Sequence, residues 1–167
     1  MERTLVIFKP DAVQRSIVGE IITRFEKAGF KIVALKMIEP DEKHYNEHYE
    51  GIGTLKTRKG EEIFQGTMRS MQEGPVIAMV LEGVEAVESV RKMVGATEPK
   101  SAMPGTIRGD FAHVTYGQAS SVGLAVANII HASADSQEAK EEISHWFKEN
   151  ELHDYKVVHE RFTQPKK

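Results

Sequence analysis

The sequence predicts a mixed α/β or α+β fold, and three observations carry that reading. Apolar, β-prone runs alternate with stretches whose apolar residues recur at helical spacing. No internal repeat or low-complexity tract breaks that alternation, and 167 residues suit one domain, expected to span 1–167. A hydrophobic fraction of 40% and a charged fraction of 28% are ordinary for a globular chain.

Taken in order, residues 3–9 (RTLVIFK) form a short apolar run that reads as a central strand, and Pro10, which cannot donate to a ladder, begins a turn. Ile21, Ile22 and Phe25 recur at helical spacing within residues 18–28, and Gly29 stops that helix. FKIVALKMIEP is a second strand closed by Pro40, and residues 41–49 read as a polar helix. Residues 51–60 (GIGTLKTRKG) are glycine-rich and basic, hence a predicted loop. A helix is expected over 61–73, a buried strand over 75–83, and an amphipathic helix over 84–95 with Val87, Val90 and Val94 on one face. A connection of about sixteen residues follows, a length that is usually functional in a compact domain. A small-residue segment (119–127), a short strand (128–131) and a helix (136–147) complete the pattern, with Asp135 and Glu138 as an N-cap pair.

Lys plus Arg total 22 against 25 Asp plus Glu, so bulk charge does not mark a polyanion binder, although a local cationic pocket is compatible with it. Cysteine is absent, which excludes disulfides, thiolate metal sites and a Cys nucleophile. The opening apolar run is too short for a signal-peptide core, and no stretch approaches the ~18 apolar residues of a membrane span. A soluble, cytoplasmic protein is expected.

Neither a G-x-x-x-x-G-K-[ST] loop nor G-x-G-x-x-G occurs, so nucleotide chemistry would have to use side chains. HYNEH (44–48) matches H-x-x-E-H, but that pattern arises readily by chance in a polar helix, and a solvated face is the reading adopted. RGD (108–110) is read as coincidence. The segment NIIHASADS is more informative. Ala132, Ser133 and Ala134 keep bulk away from His131, and Glu142 on the following helix could fold back to hold one ring nitrogen. A carboxylate on one nitrogen leaves the other unprotonated and aimed, as a histidine nucleophile requires. The start of the 136–147 helix is expected to turn free N–H groups toward the same place.

Several of these blocks occur together in one family. TLVIFKPDAVQRSIVGEIITRFEKAGFKIVALKM, GPVIAMVLEG, VRKMVGATEP, PGTIRGDF and NIIHASADSQEAKEEI, in that order, resemble nucleoside diphosphate kinase over nearly the whole chain. The resemblance implies a ferredoxin-like α+β sandwich, a four-stranded antiparallel sheet covered by helices. It also implies transfer of a γ-phosphoryl group from a nucleoside triphosphate, typically ATP, to a nucleoside diphosphate, by ping-pong chemistry through a phosphohistidine at His131. Lys9 is then a point charge on the phosphates, and Arg91 and Arg108 clamp phosphate oxygens. Thr97 donates its hydroxyl, and Asn128 binds sugar or phosphate. Tyr49 supplies a ring-supporting hydroxyl, Ser133 a local hydrogen bond, and Glu142 orients the nucleophile. No protein metal cage is implied, because Mg2+ arrives on the nucleotide phosphates. The family's oligomers imply a homo-oligomer, with a hexamer favoured and a tetramer as the alternative, and the C-terminal LHDYKVVHERFTQPKK is a candidate for crossing an interface.

Departures from the family pattern are also legible. HASA stands where relatives carry H-G-S-D, so Ala132 replaces a glycine and Ala134 an aspartate that could partner Lys9; Asp135 is a candidate substitute. EIF stands where the family has PFF, which puts aliphatic Ile63 at the base-stacking position, with Phe64 as the alternative. Two longer segments, after Tyr49 and before Asn128, are expected to flank the base entrance. A nucleic acid is not expected as the primary partner, since the strands lack the exposed aromatic pairs of an RNA platform.

Overall fold

β1 (Glu2–Phe8) is the central strand because Leu5, Val6, Ile7 and Phe8 put an apolar side chain on either face. All four are fully buried in the computed structural model, which describes residues 1–158 and 160–163. Burying each such side chain stabilises the fold by roughly 1.5–3 kcal/mol. β1 pairs antiparallel with β3 (Val76–Gly83) on one side and β4 (Ile130–Ala132) on the other, and β2 (Lys31–Ile38) pairs antiparallel with β3. The order is β2-β3-β1-β4. This four-stranded antiparallel sheet with helices on both faces is the expected ferredoxin-like α+β fold.

Along the chain the helices are α1 (Pro10–Gln14), α2 (Val18–Lys27), α3 (Glu42–Asn46), α4 (Leu55–Lys59), α5 (Glu61–Met71), α6 (Ala86–Val94), α7 (Ile107–Phe111), α8 (Tyr116–Ser121), α9 (Ser136–Trp146) and α10 (Glu160–Thr163). Strand periodicity divides the core. Leu5 and Ile7 join Tyr45, Met68, Ile143 and Trp146 from α3, α5 and α9. Val6 and Phe8 face the opposite layer, with Ile21, Phe25, Val90 and Ile107 from α2, α6 and α7.

Several sequence expectations are corrected. The predicted loop at 51–60 is instead the end of a π-helical turn, Glu47–Ile52, followed by α4. Glycine misled there: Gly53 has ordinary helical dihedrals (φ −79°, ψ −10°), and the left-handed turns of that stretch fall at Thr54 (φ 48°) and Gly60 (φ 91°), of which one is a glycine. The predicted long connection contains a 3-10 turn, Pro99–Ser101, and then α7, capped by Thr106 Oγ1 accepting from the Gly109 N–H at 3.1 Å. The small-residue segment contributes to α8. β4 starts at Ile130 rather than at 128, because Ile129 turns at φ 60°. After α9 the chain lies along the first half of β2, with the His153 N–H on the Val33 carbonyl (2.9 Å) and the Tyr155 hydroxyl on the Ile32 carbonyl (2.7 Å). Position 159 and residues 164–167 of the candidate interface segment lie outside the described residues.

Candidate active site

His131 sits in the middle of β4, opposite Ile7, and so projects from a short edge strand anchored to the central one. Glu142, two turns into α9, is fully buried, and its Oε1 lies 2.7 Å from His131 Nε2. Its other oxygen accepts from the Ser133 hydroxyl at 2.6 Å, while Ser133 Oγ accepts the Leu5 N–H at 3.2 Å. A buried carboxylate needs such partners on both oxygens. The consequence for His131 is chemical. An ionised carboxylate only accepts, so Nε2 carries the proton and Nδ1 is left with a lone pair.

The turn before β4 is strained. Ile129 is β-branched at φ 60°, and the Ile130 N–H reaches the Asn128 carbonyl (2.7 Å) across it, a γ-turn costing of order 1–3 kcal/mol. Two bonds from the β1–α1 corner hold it: Asp11 Oδ2 accepts the Ile129 N–H (3.0 Å), and the Lys9 N–H donates to the Ile129 carbonyl (2.9 Å). The turn delivers Asn128 Oδ1 to Lys9 Nζ (2.6 Å) and Asn128 Nδ2 to the Thr97 carbonyl (2.9 Å). Lys9 therefore has Asn128 as its partner. Asp135 does not substitute for the missing aspartate, because its carboxylate caps α9 through the Gln137 and Glu138 N–H groups, both at 2.8 Å. The same cap, with Glu138 Oε2 accepting the Ala134 N–H (2.6 Å), occupies the helix-start donors that the sequence suggested were free for an anion.

Three cations converge as expected, but they are held differently. Arg108, 8% exposed, donates to the carbonyls of Asn128 (3.2 Å), Gly95 (3.0 Å) and Ile130 (2.6 Å), so it braces the site's backbone as well as charging it. Arg91 has only long contacts, 3.4 and 3.5 Å, to the Ser133 and Ala132 carbonyls, and is the freer fork. Burial, with repulsion from Arg108, lowers Lys9 to about 8; burial, with repulsion from Arg91, lowers Arg108 to about 10.

A cavity of about 640 Å³ joins these groups, lined by every predicted site residue except Ser133, which lies behind Glu142. Its mouth mixes half-exposed apolar side chains with the charged Arg58, Lys59 and Glu62. Ile63 (48% exposed) is on the wall, whereas its alternative Phe64 (4%) is buried in the core with Met68 and Met71. Tyr116 and Leu124 face the same opening from the longer second segment. Tyr49 is buried with no partner for its hydroxyl among the described residues, and burial raises its pKa well above the usual phenol value, so it is a neutral donor.

His48 was missed. HYNEH is not a solvated face: His48 is 1% exposed, packs edge-to-face on His131 (ring centroids 4.7 Å apart) and accepts the Trp146 indole N–H at 3.1 Å. His44 points elsewhere and stacks on His145 at 3.9 Å. The signal in the sequence was the stripe Tyr45, His48 and Tyr49, spaced i, i+3, i+4, all buried. Glu138 was also missed; it faces the cavity, and burial together with the Glu142 charge raises its pKa. The RGD tripeptide has structural uses, since Asp110 accepts from the Gly105 N–H (2.7 Å) and pairs with Arg24 (2.7 Å).

Residues 2–152 match the family model described as nucleoside diphosphate kinase. The nucleoside diphosphate kinase of Pyrococcus horikoshii is 51% identical over 158 residues, covering 92% of this chain and 90% of that one. A transition-state mimic of the Borrelia burgdorferi nucleoside diphosphate kinase, with bound vanadate and ADP, superposes with a TM-score of 0.93 at 42% identity, covering 97% of this chain and 96% of that one. The Halobacterium salinarum nucleoside diphosphate kinase, solved in complex with CDP, gives 0.83 at 36% identity, covering 98% and 99%.

Proposed function

Because this chain belongs to the nucleoside diphosphate kinase family and is a phosphotransferase, we propose that it works by a ping-pong route through a phosphohistidine at His131. The observation that carries the reading is the 2.7 Å bond from Glu142 Oε1 to His131 Nε2, which leaves Nδ1 as the nucleophile. In the first half-reaction the Nδ1 lone pair attacks the γ-phosphorus of a nucleoside triphosphate. The bond from that phosphorus to the β–γ bridging oxygen breaks, and the diphosphate leaves with the electron pair. Positive charge grows on the ring as the N–P bond forms, and buried Glu142 faces that charge. In the second half-reaction a terminal oxygen of another diphosphate attacks the phosphorus, and the N–P electrons return to Nδ1. No proton has to leave Nε2 in either direction.

Lys9, Arg91 and Arg108 answer the negative charge of the phosphates, Thr97 and the Tyr49 hydroxyl supply neutral donors, and Asn128 keeps Lys9 in place. Ile63 packs on the base. Packing on an aliphatic side chain does not read the edge of the base, which favours broad base tolerance.

Mg2+ carried on the nucleotide phosphates would offset part of their negative charge. Among the described residues the one grouping of three ligand side chains is His48, His131 and Glu142, a nitrogen-rich set unlike the oxygen cage Mg2+ prefers. The protein acts as one cytoplasmic domain over residues 1–167. No helix among the described residues is long and apolar enough to cross a membrane. It assembles as a homo-oligomer, with the hexamer favoured over the tetramer; half-exposed Leu35 and Met37 on β2 support pairing of copies, and light scattering tests the count.

The test is incubation with ATP followed by GDP. An acid-labile, alkali-stable phosphate on His131 that transfers to GDP is expected. Transfer at the parental rate by His131→Asn would overturn the mechanism.

A further inference from the structure

Trp146 closes α9 and is 2% exposed; its indole N–H can only donate. Its partner is His48 Nδ1 at 3.1 Å, so that nitrogen must present a lone pair and the His48 proton resides on Nε2. The same Nδ1 lies 3.5 Å from Glu142 Oε1, the oxygen that takes the His131 Nε2 proton at 2.7 Å. Glu142 Oε2 is already occupied by Ser133 at 2.6 Å. Two imidazoles in edge-to-face contact thus stand beside one carboxylate oxygen, and either could donate to it. His48 does not, because its near nitrogen is engaged by the indole.

We infer that Trp146 and His48 are positioning residues. The indole N–H holds His48 as the Nε2–H tautomer, which reserves Glu142 Oε1 for His131 and keeps the His131 proton off Nδ1. The inference rests on the reading of His131 Nδ1 as the nucleophile. Burial, with His131 beside it, keeps His48 well below its ordinary pKa, so the choice at His48 is between two neutral tautomers rather than between charge states. Without the indole N–H, His48 is free to carry its proton on Nδ1 and donate to Glu142. His131 then shares or loses its anchor, and the fraction with a proton on Nδ1, which cannot attack phosphorus, rises.

The test is 15N NMR of histidine-labelled full-length protein without nucleotide, paired with the rate of phosphoenzyme formation from ATP. The wild type is expected to show His48 and His131 both as Nε2–H tautomers. In Trp146→Phe, His48 moves to Nδ1–H, His131 becomes a tautomer mixture, and phosphorylation slows roughly tenfold, in proportion to the competent fraction. Adding His48→Phe removes the competing donor, so the double variant restores the His131 tautomer and recovers rate relative to Trp146→Phe. A merely structural tryptophan would make the double variant slower still. If Trp146→Phe fails to fold, benzothienylalanine at 146 keeps the ring shape and removes the N–H. An Nδ1–H tautomer of His48 in the wild type, an unchanged His131 tautomer without the indole N–H, or absence of rescue overturns the inference. The tautomers are read without turnover, so the two readings fail separately. A locked wild type that forms no phosphohistidine sinks the proposed function alone, and a phosphorylated enzyme whose His131 ignores Trp146 sinks the lock alone.

Discussion

The floor and the mouth of the cavity are built on different physics. On the floor, Glu142, Asn128 and Arg108 are nearly or fully buried, and each engages at least two partners within 3.2 Å. At the mouth, Ile63 and Tyr116 are about half exposed (48% and 49%) on α5 and α8, beside exposed Arg58, Lys59 and Glu62, and Ile63 offers packing area rather than a directed donor. A buried polar network has one low-energy arrangement, because any departure leaves a group unsatisfied. An apolar wall tolerates many. On the proposed reading, the reaction is fixed at the floor while the choice of base is left loose at the mouth.

Substitutions on the floor should therefore cost far more than substitutions at the mouth. The largest loss is expected for Arg108→Ala, which removes the donor to three backbone carbonyls, of which Asn128 keeps the Ile130 N–H, and should cost about 3 kcal/mol in urea unfolding, besides lowering activity. Arg108→Lys should recover only part of that stability, since one ammonium cannot span all three. Glu142→Gln comes next. It keeps the shape but puts an amide where one oxygen served His131 or Ser133, and kcat/KM should fall by about 10²-fold with little change in the urea midpoint.

Lys9 gives a graded test through pH. Its folded pKa of about 8 lies below the ordinary 10.5, so the amine is cationic below about 8 and neutral above it. kcat/KM should fall as pH rises through that value, and Lys9→Arg should remove the limb. Stability moves the other way: between about 8 and 10.5 the unfolded chain binds a proton that the folded chain does not, so raising pH through that window favours folding. The smallest effect belongs to the mouth. Ile63→Phe should lower KM roughly two- to tenfold with kcat unchanged, the range expected from an added aromatic face. A loss there as large as at Glu142 would erase the distinction between the two regions.

How much of this the sequence disclosed follows the same division. β1, β3 and the N-cap of α9 were legible because each rests on a local pattern: a continuous apolar run, or Asp135 ahead of a helix. His131, Lys9, Arg91 and Arg108 came from motif blocks, and the cavity gathers them. The state of the helix start was not legible, because whether an N–H is free depends on where Asp135 and Glu138 turn their carboxylates. Neither was the bracing role of Arg108, which needs carbonyls made available by the strained turn at Ile129. His48 was obscured by a competing pattern, since the i, i+4 pair of histidines drew the eye from the Tyr45, His48 and Tyr49 stripe that the core uses.

The central claim is that Glu142 holds one edge of the His131 ring so that the other edge performs the chemistry. The isomer of phosphohistidine formed on the protein with ATP tests it most directly, by phosphorus–proton NMR correlation or by comparing the base-hydrolysed residue with authentic Nδ1 and Nε2 standards. Phosphate on Nδ1 alone is the predicted result. Phosphate on Nε2 would mean that the 2.7 Å bond to Glu142 breaks before reaction, and would contradict the account.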